Sequence, residues 1–191
     1  PAYDPRDFTN DTDWIDAITR IAPYQNYNVS ASSNDKGLNW YASLAFTDTE
    51  GIVKDTGYQR VTGRFNFSKD FTSWLNVALK ISTNYKRKDM SKAVFSGSGY
   101  SNGAIYLSPV IGEMDESNPF VDNGALINTP VASIKYEDYY STGWANTDVL
   151  EFTIKPFKGF TLKSQNSVRL AQDHTYHFWS NKLPKRRDEE G

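Results

Sequence analysis

The sequence predicts an all-β protein. Long antiparallel meander strands, about six of them with long outer loops, would form part of a large transmembrane β-barrel that is not closed on its own. The first observation behind this is alternation. Along residues 58–88, Val61, Gly63, Phe65 and Phe67 fall on one strand face, with Arg60, Thr62, Arg64 and Asn66 on the other. After a short turn, Leu75, Val77, Leu79, Ile81, Thr83 and Tyr85 alternate with Asn76, Ala78, Lys80, Ser82, Asn84 and Lys86. Successive strand side chains point to opposite faces, so each run has one greasy and one wet face. The second observation is length: both runs reach the roughly 9–11 residues that a tilted strand needs to cross a bilayer. A face carrying Arg60, Arg64, Lys80 and Lys86 cannot lie in lipid, but it can line a watery lumen.

The third observation is the spacing of the strands. Alternation places them at about 25–33, 38–47, 58–68, 75–87, 147–155 and 161–173, with a long outer loop at about 89–146. Connections at 34–37, 69–74 and 156–160 are short, and those at 48–57 and 88–146 are long. In a meander, alternate turns fall at opposite ends. One rim is therefore trimmed and the other decorated, as in outer-membrane barrels.

In order along the chain, DTDWIDAITRIAP offers Asp11, Thr12 or Asp13 as the cap of a short helix. Trp14, Ile15, Ile18 and Ile21 would share one side, and Pro23 would end it. Tyr27, Val29 and Ala31 then alternate toward an SNDKG turn, and Leu38, Trp40, Ala42, Leu44 and Phe46 follow it. Met90 to Trp144 breaks the pattern. Its aromatics, Tyr100, Tyr106, Phe120, Tyr136, Tyr139, Tyr140 and Trp144, are too many for a solvated tail, so an ordered loop that packs or binds is expected. Alternation returns with Asp148, Leu150, Phe152 and Ile154, and more faintly with Leu162, Val168 and Leu170 opposite Lys163, Gln165 and Arg169.

Composition agrees. Of 191 residues, 38% are hydrophobic and 15% aromatic, with 12 Tyr, 11 Phe and 5 Trp. Mean hydropathy is -0.63. No apolar run approaches the roughly 18 residues of a membrane helix, which leaves barrel strands untouched. Lys and Arg number 21 against 23 Asp and Glu, so nothing calls for nucleic acid. The chain has no cysteine, which removes thiolate chemistry and cysteine metal sites. The start, PAYDPRDFTN, lacks the pattern of a signal peptide. A mature or internal piece is one reading of that, and a cytosolic protein is the other.

Chemistry-bearing motifs are sparse. No dinucleotide, phosphate-loop, nucleophile-elbow or zinc-protease pattern occurs. His174 and His177 lie in an extended stretch that puts them on opposite faces, which argues against a metal site. Asp115 with Glu116, or Asp48 with Glu50, could mimic a glycosidase pair, but 23 acids guarantee such coincidences. GSG at Gly97 to Gly99 lacks the setting of a phosphate loop. No catalytic residue, cofactor site or metal ligand is nominated, and an enzyme is not expected. Alternatives from other classes are a soluble β-sandwich that binds carbohydrate and an all-β glycoside hydrolase fragment.

Trp14, Ile18, Ala22, Pro23, Gln25, Asn28 and Ser30 together resemble a signature of SusC/RagA-type TonB-linked outer-membrane transporters. So do Tyr41, Ser43, Leu44, Phe46, Asp48, Glu50, Gly51 and Ile52, then Arg60, Arg64, Asn66, Trp74 and Leu75. A third stretch is Thr129-Pro130-Val131-Ala132, followed by Leu150-Glu151-Phe152 and Lys158-Gly159-Phe160-Thr161-Leu162-Lys163. Thr129 stands where the family usually shows Asn, and Tyr27 where His is common. The resemblance implies a plugged barrel of about 22 strands in the bacterial outer membrane. It also implies uptake of oligosaccharides or peptides, a SusD-like surface lipoprotein as lid, the TonB complex as energy transducer, and lipid around the wall. On that footing residues 1–191 are expected to be an internal part of the barrel domain. Plug, TonB box and the rest of the barrel would be absent. Arg60, Arg64, Asn66, Lys80, Asn84, Lys163 and Arg169 are the expected lumen-facing residues.

Overall fold

The computed structural model describes residues 11–93, 103–105, 107, 109, 121–122, 125–126 and 129–183. Its elements are α1 (Trp14–Ile18), β1 (Tyr24–Asp35), β2 (Leu38–Glu50), β3 (Gly57–Thr72) and β4 (Leu75–Asp89), then the short pair β5 (Val121–Asp122) and β6 (Ala125–Leu126), then α2 (Pro130–Tyr136), β7 (Glu137–Ile154) and β8 (Leu162–Trp179). Six strands form one sheet in the order β1-β2-β3-β4-β7-β8, every pair antiparallel. Among the described residues, neither β1 nor β8 has a second neighbour, so the sheet is open. At about 3.3 Å per residue, strands of this length reach roughly 40–60 Å, more than a bilayer core of about 30 Å.

The trimmed rim is held locally. Lys36 (φ 44) and Gly37 (φ 77) both take positive φ between β1 and β2, the geometry of a type I′ turn whose twist suits a hairpin. Between β3 and β4, Thr72 Oγ1 accepts from Leu75 N at 3.0 Å. The ladder slips by a residue between Asp70 and Thr72, which leaves Phe71 as a bulge.

The other rim carries a small folded cap. Asp13 caps α1 by accepting from Ile15 N and Asp16 N, both at 3.0 Å. Trp14 (3% exposed) and Ile18 (0%) pack with Ala93, Ala104 and Leu107, and Val53, Val131 and Ile134 close around them. The expected four-residue apolar side does not form. The helix stops at Ile18 because Thr19 bridges to Val53 and Arg20 N donates to Ile52 O. Ile15 and Ile21 are left exposed. Arg20 then ties α1 to the β2–β3 connection through Glu50 Oε2 (2.9 Å), Gly51 O (3.2 Å) and Thr56 O (3.1 Å).

The outer loop is shorter than alternation suggested. β7 begins at Glu137 and not at 147, and a helix, α2, precedes it. Thr129 caps α2, its Oγ1 accepting from Ala132 N at 3.2 Å, and Pro130 takes the first helical position. The upper part of β7 hid from the pattern because both its faces are wet or aromatic. Pairing to β4 and β8 holds it in place of a greasy face. The same holds for β8, which continues to Trp179 beyond the expected end at 173. Tyr136 to Trp144 thus pack as a helix end and a strand, while Tyr100, Tyr106 and Phe120 lie outside the described residues.

Candidate functional site: the charged face of the sheet

Register converts alternation into two surfaces. One row across the sheet runs Ser30, Ser43, Arg64, Ser82, Thr147, Arg169. The row above it is Asn28, Ala45, Thr62, Asn84, Ala145, Ala171, and above that come Asn26, Thr47, Arg60, Lys86, Gly143, Asp173. Below Arg64 lies Ser32, Tyr41, Asn66, Lys80, Val149, Ser167. Lys163, paired to Thr153, falls on this same surface. All seven residues nominated from the sequence (Arg60, Arg64, Asn66, Lys80, Asn84, Lys163 and Arg169) therefore share one face.

The opposite face carries rows such as Val29, Leu44, Gly63, Thr83, Asn146, Leu170 and Ser33, Trp40, Phe67, Leu79, Leu150, Asn166. Nothing among the described residues covers it: Val29 is 66% exposed, Leu44 54% and Val168 60%. A β-sandwich buries this surface against a second sheet; here it stands bare. Aromatic residues cluster toward both ends of it, with Trp40, Phe67 and Phe152 below and Tyr27, Tyr85 and Trp144 above, as girdles do at membrane interfaces. A hydrogen-bonded polar pair lies within the greasy surface. Asn146 Nδ2 donates to Asp148 Oδ2 at 2.8 Å, and the other carboxylate oxygen is buried without a partner.

Ion pairs organise the charged face toward β8. Glu151, only 9% exposed, is gripped from two sides, by Lys80 Nζ at 2.7 Å and Lys163 Nζ at 3.3 Å. Lys86 reaches Asp173 at 2.8 Å across the intervening strand β7. Gly143 sits under that bridge, where a Cβ would collide with both Asp173 Oδ1 and Lys86 Cε. Glycine lets two strands that do not touch be tied together. Higher up, His177 stacks between Tyr139 (4.4 Å) and Trp179 (3.8 Å), with Nε2 3.3 Å from Glu137 Oε2. His174 lies on the opposite face. Sequence reasoning missed the Glu137–His177 contact, because only register brings residues 40 apart together.

Toward β1 the face is different. Arg60, Arg64, Asn26, Asn28, Tyr41, Ser43, Thr47 and neighbours line a hollow of about 240 Å³. Arg60 Nε donates to Thr62 Oγ1 at 3.1 Å. Among the described residues neither arginine has a carboxylate partner. Asp115, Glu116 and Gly97 to Gly99 lie outside the described residues. Asp48 falls in β2 on the greasy side's ladder, opposite Gln25 and Gln59, while Glu50 pairs with Arg20. They do not form a catalytic pair.

The geometry defines an open section of a membrane-type β-barrel wall: a single antiparallel meander with one greasy face, one charged face and, among the described residues, no strand beyond β1 or β8. No protein-family model matches the chain. Its sequence is similar to a TonB-dependent receptor, P26, of Formosa agariphila, 28% identical over 134 residues (69% of this chain, 13% of that protein). It is also similar to the TonB-dependent receptor SusC of Bacteroides thetaiotaomicron, 28% identical over 116 residues (61% of this chain, 11% of that protein). Among solved structures, the RagAB peptide importer in its closed-closed state superposes with a TM-score of 0.74 at 22% identity, over 93% of this chain and 21% of that one. The RagAB peptide transporter gives 0.70 at 25% identity, over 88% and 20%. The chain is thus similar to SusC/RagA-type receptors and matches a section of such a barrel. It spans about an eighth of the length of the curated relatives it matches. The curated relatives are TonB-dependent receptors by name, and the solved structures are of a peptide importer and transporter.

Proposed function

We propose that these residues are a wall and outer-loop section of the barrel domain of a bacterial outer-membrane transporter. It would import oligosaccharides or peptides, draw energy through TonB and work with a SusD-like surface lipoprotein. The single observation that carries the reading is that, among the described residues, a bare greasy face is backed by a charged one and both sheet edges lack a neighbour. In lipid an unpaired edge costs several kcal/mol per backbone group, so further strands must complete the wall. Arg60, Arg64, Asn66, Lys80, Asn84, Lys163 and Arg169 then face the lumen.

The test is made on the full-length protein. It is expected in the outer-membrane fraction, to need detergent for extraction, and to take up a fluorescent oligosaccharide or peptide only while TonB and the proton gradient are intact. A protein that stays monomeric in plain buffer would end this reading.

A further inference from the structure

Resting on that reading, we infer that Arg60 and Arg64 form an anion subsite on the lumen wall. Its ligand is a solute bearing a carboxylate flanked by hydroxyl or amide groups. The argument is lateral. β3 lies inside the sheet, hydrogen-bonded to β2 on one side and β4 on the other, so no further strand can be added beside it. The ladder positions next to Arg60 are Thr47 and Lys86, and those next to Arg64 are Ser43 and Ser82. None is acidic, and among the described residues no carboxylate lines the hollow the two arginines share.

The other cations of this face set the contrast. Lys80 and Lys163 share the single carboxylate of Glu151, and Lys86 pairs with Asp173; Lys88, exposed at the upper end of β4, has no carboxylate partner among the described residues and lies beyond the hollow. Arg169 too has no carboxylate partner among the described residues, but it sits on the edge strand β8, beside which a further strand could supply one. For Arg60 and Arg64 the counter-charge can come only from in front of the wall. A guanidinium offers a fixed fork of donors matched to a carboxylate. Asn26, Asn28, Ser43 and Thr47 add amides and hydroxyls around it, suited to the groups flanking a carboxylate on an acidic sugar or an acidic peptide.

The experiment uses the full-length protein in detergent and two matched probe pairs. One is acetyl-triglutamate amide with its glutamine twin, and the other is trigalacturonate with neutral maltotriose. At least one acidic probe is expected to bind about tenfold more tightly than its twin, and whichever pair shows the gap identifies the source of the carboxylate. The gap should vanish in R60Q/R64Q, persist in part in R60K/R64K, survive in the outer-face control K69Q, and shrink as salt rises from about 0.05 to 0.5 M. The salt series needs no variant and stands even if R60Q/R64Q fails to fold. An acidic advantage that survives R60Q/R64Q would overturn the subsite. So would the absence of any advantage in the wild type. If neither probe binds and R60Q/R64Q lowers the melting temperature, the counter-charge is one of the protein's own carboxylates, and the solute subsite is overturned. A detergent-requiring barrel without the acidic advantage loses only the subsite, whereas a protein at home in buffer loses the transport reading.

Discussion

The sheet and the cap on its long-loop rim are built by opposite rules. The cap has an interior of the kind found in water-soluble domains, with Trp14 and Ile18 almost sealed and Leu183 and Thr129 at 0% exposure nearby. The sheet has almost none. Its few buried positions, Ala78, Gly143 and Glu151, lie on the charged face beneath bridging lysines. The difference teaches that this chain folds against two solvents. Where water surrounds it, apolar groups must hide from it among themselves. Where lipid is to surround it, apolar groups face outward, and order comes from the backbone ladder and from ion pairs on the other side.

The largest effect that would sharpen this contrast is in the cap. Ile18→Ala leaves a cavity in a small core and is expected to cost about 2–5 kcal/mol. The loss should be local. In the full-length protein, protease should cut the outer loops faster, while the melting of the barrel barely moves. Next comes the greasy face. Leu44→Arg, placed toward mid-bilayer, should cost about 2–4 kcal/mol, read as a lower denaturant midpoint in micelles. Ala171→Arg, on the charged face in the next row of the ladder and opposite Ala145, should cost far less. Equal costs at the two positions would break the two-solvent picture. Smaller again, Thr129→Ala removes the cap of α2 and should cost about 1 kcal/mol, seen as faster loop proteolysis.

The smallest effect depends on pH. Partial desolvation first, and then the Asp89 and Asp138 carboxylates, hold the Asp55 acid above its ordinary range, against Arg20 and Arg87, which pull it down. A carboxyl raised in the folded state favours folding when protonated, and that benefit is lost as pH rises through its folded value. The β2–β3 connection should therefore tighten as pH falls from neutral toward the upper edge of the carboxylate range. Asp55→Asn should flatten that trend in the protease assay.

Much of this was legible in the sequence, for a physical reason in each case. Alternation at Val61, Phe65, Leu79 and Ile81 survives because lipid tolerates no polar side chain there without cost. The trimmed hairpins were visible in Lys36-Gly37 and in the brief gap before Leu75. The upper reaches of β7 and β8 were not, because strands that rise past the membrane have no obligation to be two-faced. The arginine hollow was half legible. Arg60 and Arg64 could be placed on the wet face, but their lack of a counter-charge appears only once register identifies Thr47, Ser43, Ser82 and Lys86 as neighbours. The cap's Thr129-Pro130 start was in plain view as a helix signal, yet it read only as part of a family resemblance.

The two raw margins of the sheet have a consequence for anyone who would cut this stretch out and make it alone. Among the described residues, β1 and β8 each have one long side with no strand beside it. A cell expressing only these residues would be making a self-templating ribbon, and such ribbons grow by recruiting their own copies into inclusion bodies.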